Sequence, residues 1–204
     1  MSIDTQTIAR ALLSIDAVKF TPHEPKTFKS GIIAPVYIDN RAIPYHPPVW
    51  QQVIAGFAER AQTLDYDLIA GIAVAGVPHS AALAYHLSKP SVFVRKEAKG
   101  HGLKNRIEGG LVQGKAVLLI EDLVTTGGSS LDGVNALREA EAIVNDALAI
   151  VSYGFPQAKE AFKEAGVNLH TLTDFDAIVQ VSTLSAADAA TIQKWRSDPY
   201  GWRP

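Results

Sequence analysis

Between residues 117 and 130 the chain reads "VLLIEDLVTTGGSS". A short continuous apolar run bounded by turn residues is the pattern of a strand buried on both faces. Such a strand needs helices above and below it, which restricts the chain to an α/β architecture with a mainly parallel sheet. In open sheets of that kind, ligands bind beyond the carboxyl ends of the strands. Here that end carries two acids, Glu121 and Asp122, followed by a loop of Thr, Gly and Ser.

The rest of the chain fits this frame. Ile8, Ala11, Leu12 and Ile15 share one helical face, so a short amphipathic helix opens the chain. "FKSGIIAPVYIDNR" (28–41) holds a Ser30–Gly31 turn and an extended segment from Val36 to Asp39. "HPPVWQQVIAGFAERAQ" starts on prolines and places Trp50, Val53, Ile54 and Phe57 on one face of a helix. Strands and helices then alternate: "DLIAGIAV" (67–74), a helix through "HSAALAYHL", "SVFVR" (91–95), a polar stretch (96–113), and "AVLLIE" (116–121). A helix over "SSLDGVNALREAEA", a strand over "ALAIVSY" and a helix "QAKEAFKEAG" ending at Gly166 follow. "DAIVQV" is expected to be extended, and "SAADAATIQKWRS" is a closing helix whose Ser185 and Asp188 have capping-box spacing.

The length of 204 residues suits a single domain, and 47% hydrophobic residues supply a sizeable core. A net charge of −2 argues against a dedicated nucleic-acid binder. With no cysteine, thiolate metal sites, disulfides and cysteine nucleophiles are excluded. No apolar run is long enough to span a bilayer, and the N-terminus lacks the features of a signal peptide, so a cytoplasmic enzyme is expected.

The loop "TTGGS" (125–129) has the composition of a phosphate cradle. Glycines let main-chain N–H groups turn inward, the following helix N-terminus attracts anions, and Thr125, Thr126 and Ser129 add hydroxyls. Two carboxylates beside a phosphate would repel it unless something lies between. A sugar ring fits, its vicinal hydroxyls donating to Glu121 and Asp122, as does a Mg²⁺ ion bridging sugar and diphosphate oxygens. The plainer alternative is an ordinary polar loop after a strand.

"VLLIEDLVTTGGSS" resembles the phosphoribosyl diphosphate (PRPP) signature of type I phosphoribosyltransferases. "VRKEAKGHG" (94–102) is similar to the catalytic loop of the orotate phosphoribosyltransferase family, and "FKSGIIAPVYIDNR" to its base-binding segment. With "GIAVAGVPHSAALA" (71–84), the resemblance covers most of residues 28 to 155. It implies a Rossmann-like type I phosphoribosyltransferase fold: a central, mainly parallel sheet flanked by helices. A small N-terminal hood (about 1–45, with the C-terminal part) would cover a core of about 46–182. It implies transfer of the phosphoribosyl group from PRPP to orotate, giving orotidine 5′-monophosphate and diphosphate with Mg²⁺, a step of pyrimidine biosynthesis.

Roles follow from the resemblance. Residues 125–129 (Thr125, Thr126, Gly127, Gly128 and Ser129), entered through Leu123 and Val124, would hold the 5′-phosphate, and Glu121 and Asp122 the ribose hydroxyls. Arg95, Lys96, Lys99 and His101 would bind the diphosphate, with Lys99 and His101 aiding its departure. Lys29, Tyr37, Ile38, Thr125 and Tyr153 would meet orotate. Mg²⁺ would be held mainly by substrate oxygens, with Asp122 as a candidate ligand. A homodimer sharing the loop across its interface is implied. Two positions depart from the family pattern: Ala75 stands where many members have a PRPP-binding lysine, and Tyr153–Gly154 where many carry an arginine for the orotate carboxylate.

Other signals point less far. "GGLVQGKA" (109–116) nearly matches a P-loop, but Ala116 lacks the required hydroxyl and a strand follows. The segment 95–106 holds five Lys or Arg with glycines at 100 and 102. It reads as a solvated loop or as a cationic lid, and the family favours the lid. His23, His46, His79 and His86 have no metal-ligand spacing. Two alternatives stay open: a salvage phosphoribosyltransferase for a purine or uracil, and a PRPP-sensing regulator without catalysis.

Overall fold

A computed structural model describes residues 3–28, 30–97 and 106–204. The chain opens with α1 (Thr5–Ser14), capped by the Asp4 carboxylate accepting from Thr7 N, followed by four short strands. These are β1 (Val18–Phe20), β2 (Lys26–Thr27), β3 (Ile33–Ala34) and β4 (Val36–Ile38). They pair as two antiparallel ribbons, β1 with β4 and β2 with β3. A 3₁₀ turn (Asn40–Tyr45) leads into α2 (Pro47–Ala61), whose initial prolines occupy positions where no helical N–H is required.

Then come β5 (Leu68–Ile72), α3 (Gly76–Leu87), β6 (Ser91–Val94), β7 (Ile107–Glu108), β8 (Ala116–Val124), α4 (Gly128–Glu139) and β9 (Ile143–Ser152). The chain closes with α5 (Pro156–Glu164), β10 (Asn168–Asp174), α6 (Phe175–Val181) and α7 (Ala186–Ser197). Six strands form one sheet in the order β10-β9-β8-β5-β6-β7; all pairs are parallel except β6–β7.

Side chains alternate across the sheet, as strand geometry demands. Leu118 and Ile120 of β8 point into one core with α1, α2, α3 and Trp195 of α7. Val117 and Leu119 point into the other, with Val134 and Leu137 of α4 and Phe162 of α5. The 9-residue β8 lies between β5 and β9, so its carboxyl end opens at mid-sheet.

Three local expectations are corrected. "DAIVQV" is not extended: it lies in α6, where the Asp174 carboxylate accepts from Ala177 N at 2.8 Å and Phe175, Ala177 and Ile178 are buried. Capping and burial override its β-branched composition. The strand at that edge is instead β10, whose sequence "NLHTLTD" has too few apolar residues to announce a strand. The polar stretch 96–113 also contains a strand, the two-residue β7.

Candidate functional site

The site begins where β8 ends. Gly127 has φ +84° and forms the entry to α4, and no side chain caps that helix. The N-terminal N–H groups of a 12-residue helix thus face the loop without a capping side chain, an arrangement that favours an anion. A Cβ on Gly127 would lie 3.0 Å from Phe162 Cε2, so glycine is required by both conformation and space. On the other side of β8, a Cβ on Gly76 would lie 2.6 Å from the Ile120 carbonyl oxygen, which lets α3 approach the strand end closely.

Glu121 is buried. Its Oε2 accepts from Ser130 Oγ at 3.1 Å and from Ser129 Oγ at 3.4 Å. Burial, then the neighbouring Asp122 charge, pushes its carboxyl well above the usual carboxylate range. Burial also raises Asp122, against the pull of Arg41. Asn40, fully buried at the start of the 3₁₀ turn, donates from Nδ2 to the Asp122 carbonyl at 2.7 Å. The N-terminal segment is thereby fastened to the acidic strand end.

Two cavities meet at Gly128 and Ser129. One, about 360 Å³, is walled by Phe28, Tyr37, Ile38, Leu123 and Tyr153 together with Thr125 and Thr126. The second, about 350 Å³, is walled by Ala73, Arg95, Lys96, Arg106 and Asp132. Arg95 N donates to the Arg106 carbonyl at 2.8 Å, and Arg106 Nε donates to the Arg95 carbonyl at 2.9 Å. Arg106 also forks onto Asp132 of α4. Arg106 is therefore tied to α4, the helix that follows the TTGGS loop.

The structure brings Tyr37, Ile38, Leu123, Thr125, Thr126, Gly128, Ser129 and Tyr153 together in the first cavity, and Arg95 and Lys96 in the second. Val124 is buried in the core, and Gly127 serves as the turn. Ala75 heads α3 half-buried, while Ala73 and not Ala75 stands in the cavity wall. Lys29, Lys99 and His101 lie outside the described residues. Tyr153 N donates to the Val124 carbonyl and Gly154 N to Ser152 Oγ. These amides, the obvious substitutes for the arginine absent there, are already engaged.

Sequence reasoning missed Asn40, Arg41, Arg106 and Asp132. Asn40 and Arg41 stand in the quoted segment "YIDNR", but only the fold shows that they reach the acids. Trp195 is fully buried, donates from Nε1 to the Ile33 carbonyl at 2.9 Å, and meets Tyr153 edge-on at 5.6 Å. It supports the aromatic wall from behind. His79 is buried as well, accepting at Nδ1 from Trp50 Nε1 at 3.2 Å. That leaves its proton on Nε2, which faces the Asn40 main chain without reaching hydrogen-bond geometry.

Paired acids at a central strand end, an anion-binding turn and a cationic stem opposite an aromatic pocket define a transferase acting on a phosphorylated sugar. The family model described as "Phosphoribosyl transferase domain" matches residues 42–182. The orotate phosphoribosyltransferase of Coxiella burnetii is 39% identical over 97% of each chain. The crystal structure of orotate phosphoribosyltransferase from Aeropyrum pernix superposes with a TM-score of 0.76 at 30% identity, covering 85% of this chain and 96% of that one. The structure of Leishmania donovani UMP synthase gives 0.84 at 25% identity over 95% of this chain, which spans 42% of that longer protein. The chain belongs to the orotate phosphoribosyltransferase family, and its six-stranded sheet is the type I phosphoribosyltransferase fold.

Proposed function

We propose that this chain transfers the 5-phosphoribosyl group from PRPP to orotate, forming orotidine 5′-monophosphate and diphosphate. The observation that carries this reading is the shared wall of the two cavities. An aromatic-walled pocket suits a pyrimidine, a cationic pocket suits a diphosphate, and Gly128 and Ser129 border both. A ribose anchored there by its 5′-phosphate would present C1 to both sides. The new bond joins orotate N1 to C1, the C1–oxygen bond breaks with its electron pair on the diphosphate, and the N1 proton is released. Positive charge grows on the ribose as that bond breaks. Asp122, with Glu121 buried behind it, stands where the ribose hydroxyls would lie, and its carboxylate would favour that charge, while Arg95 and Lys96, joined by Lys99 and His101, would offset the charge on the leaving group.

Mg²⁺ fits this donor set. It needs one or two carboxylates, with substrate and water oxygens completing its octahedron. Asp122, only partly accessible at the strand end, would supply the carboxylate. When bound, the ion neutralises diphosphate charge.

The homodimer reading is supported by an exposed apolar face on α2 and α3. Tyr85 of α3 is nine-tenths exposed and lines a cavity of about 550 Å³ together with Trp50 and Ile54 of α2. The loop holding Lys99 and His101 would complete the partner's site. The remaining elements of the reading are one domain, with the hood of about 1–45 and the C-terminal part over the core of about 46–182, and a cytoplasmic location. Among the described residues no helix is long and apolar enough to cross a membrane.

An absorbance assay tests the function. With PRPP and Mg²⁺, loss of the orotate ultraviolet band is expected, and none of uracil, adenine or hypoxanthine should be consumed at a comparable rate. Turnover of another base in place of orotate would refute the substrate assignment. PRPP binding without turnover of any base would favour a regulator.

A further inference from the structure

The orotate carboxylate needs a donor, and the amides of Tyr153 and Gly154 are engaged. Arg196 approaches the same turn, but it is held by Asp176 and the Tyr153 carbonyl and lines a different cleft, beside α5 and β10. Another cation stands closer to the aromatic pocket. Arg41, in the 3₁₀ turn after β4, donates from Nη2 to the Tyr37 hydroxyl oxygen at 3.0 Å. The same guanidinium is fixed by Asp39 through Nε at 2.6 Å and Nη2 at 2.7 Å. Asp122 lies within its electrostatic reach. Its Nη1 makes no hydrogen bond among the described residues.

A phenol that accepts from a guanidinium has its own O–H proton left to donate. Tyr37 lines the aromatic cavity, so that proton is available to a ligand there. A second phenol lines the same cavity. Tyr153 is 1% exposed, and its hydroxyl has no hydrogen-bond partner among the described residues. Burying an unpaired hydroxyl is unfavourable, and an acceptor on a bound ligand would relieve it.

We propose that the Arg41–Tyr37 pair, with Tyr153 lining the same cavity, is the specificity element for the anionic group of the base. Asp39 sets the guanidinium, the guanidinium sets the Tyr37 hydroxyl, and two phenolic donors replace one arginine. Arg41 is a positioning residue, Tyr37 the contact. This rests on the orotate reading above.

The test uses Arg41→Gln, Arg41→Lys and Tyr37→Phe in the full chain, with KM and kcat measured separately for orotate and PRPP. Losing one hydrogen bond to a charged group should raise the orotate KM about tenfold in Arg41→Gln and Tyr37→Phe, with the PRPP KM moved less than about twofold. Arg41→Lys should recover part of the loss, and the double variant should be little worse than the worse single variant, because the two act as one unit. Melting temperatures near that of the parent chain would show that folding is intact; Arg41 and Tyr37 are both exposed enough for this to be expected. An unchanged orotate KM in both single variants, or equal rises in both KM values, would overturn the proposal while leaving the enzyme an orotate transferase. Failure of the parent chain to use orotate would overturn both readings together.

Discussion

His79 should make this fold acid-sensitive within a defined window. Burial drives its pKa from 6.5 down to about 4, because α3 holds the imidazole neutral against Trp50. The unfolded chain takes up a proton below pH 6.5, while the folded chain resists until about pH 4. The stabilising contribution is therefore complete above the unfolded value, shrinks as pH falls through that window, and stops shrinking below it. At 1.36 kcal/mol per pH unit, the loss between about pH 7.5 and pH 4.5 is about 2.5 kcal/mol. For a chain of this size that corresponds to a fall of about 5–10 °C in Tm.

His79→Gln keeps an acceptor for Trp50 but cannot titrate. It should melt somewhat below the parent chain at neutral pH, through imperfect packing, and then lose about 5–10 °C less than the parent on acidification. Melting curves of both proteins across that range, without substrates, make the comparison. Parallel declines would refute the reasoning, because every other titrating group is common to the two chains.

Two more perturbations probe the site. Lys99→Ala should lower kcat far more than it weakens PRPP binding, since the charge it meets develops as diphosphate departs; equal losses would remove it from that role. Mixed with Asp122→Asn chains, it should recover activity in verified heterodimers if two chains share each site. Gly127→Ala forces an L-residue to φ +84° against Phe162. It should cost about 2 kcal/mol, lower Tm by about 4–8 °C, and raise the PRPP KM, all measurable on one preparation.

The elements that local pattern determines were legible in the sequence. "AVLLIE" reads as a buried strand because its apolar run serves both faces of the sheet. "TTGGS" reads as a turn into a helix because glycine readily takes the positive φ that Gly127 adopts. The elements that depend on tertiary partners were not legible. α6 takes its shape from Asp174 and a buried face, and β10 is a strand only because β9 offers it an edge. The same limit applied at the site. Tyr37 could be named from "VYID", but its orientation by Arg41, the fastening of Asp122 by Asn40 and the clamp of Arg106 on Asp132 span up to 82 residues of sequence.

The Asn40 fastening has a consequence for how such an enzyme can be remade. Phe28, Ser30, Tyr37 and Ile38 of the aromatic cavity all precede the first strand of the large sheet in sequence. Glu121, Asp122 and the TTGGS loop stand at and beyond the end of the later strand β8. One side-chain amide, on a carbonyl whose position the sheet already fixes, joins the two. A graft that exchanges residues 28–41 and preserves that amide would give the chain a different acceptor vocabulary without rewriting the grammar of its phosphoribosyl donor.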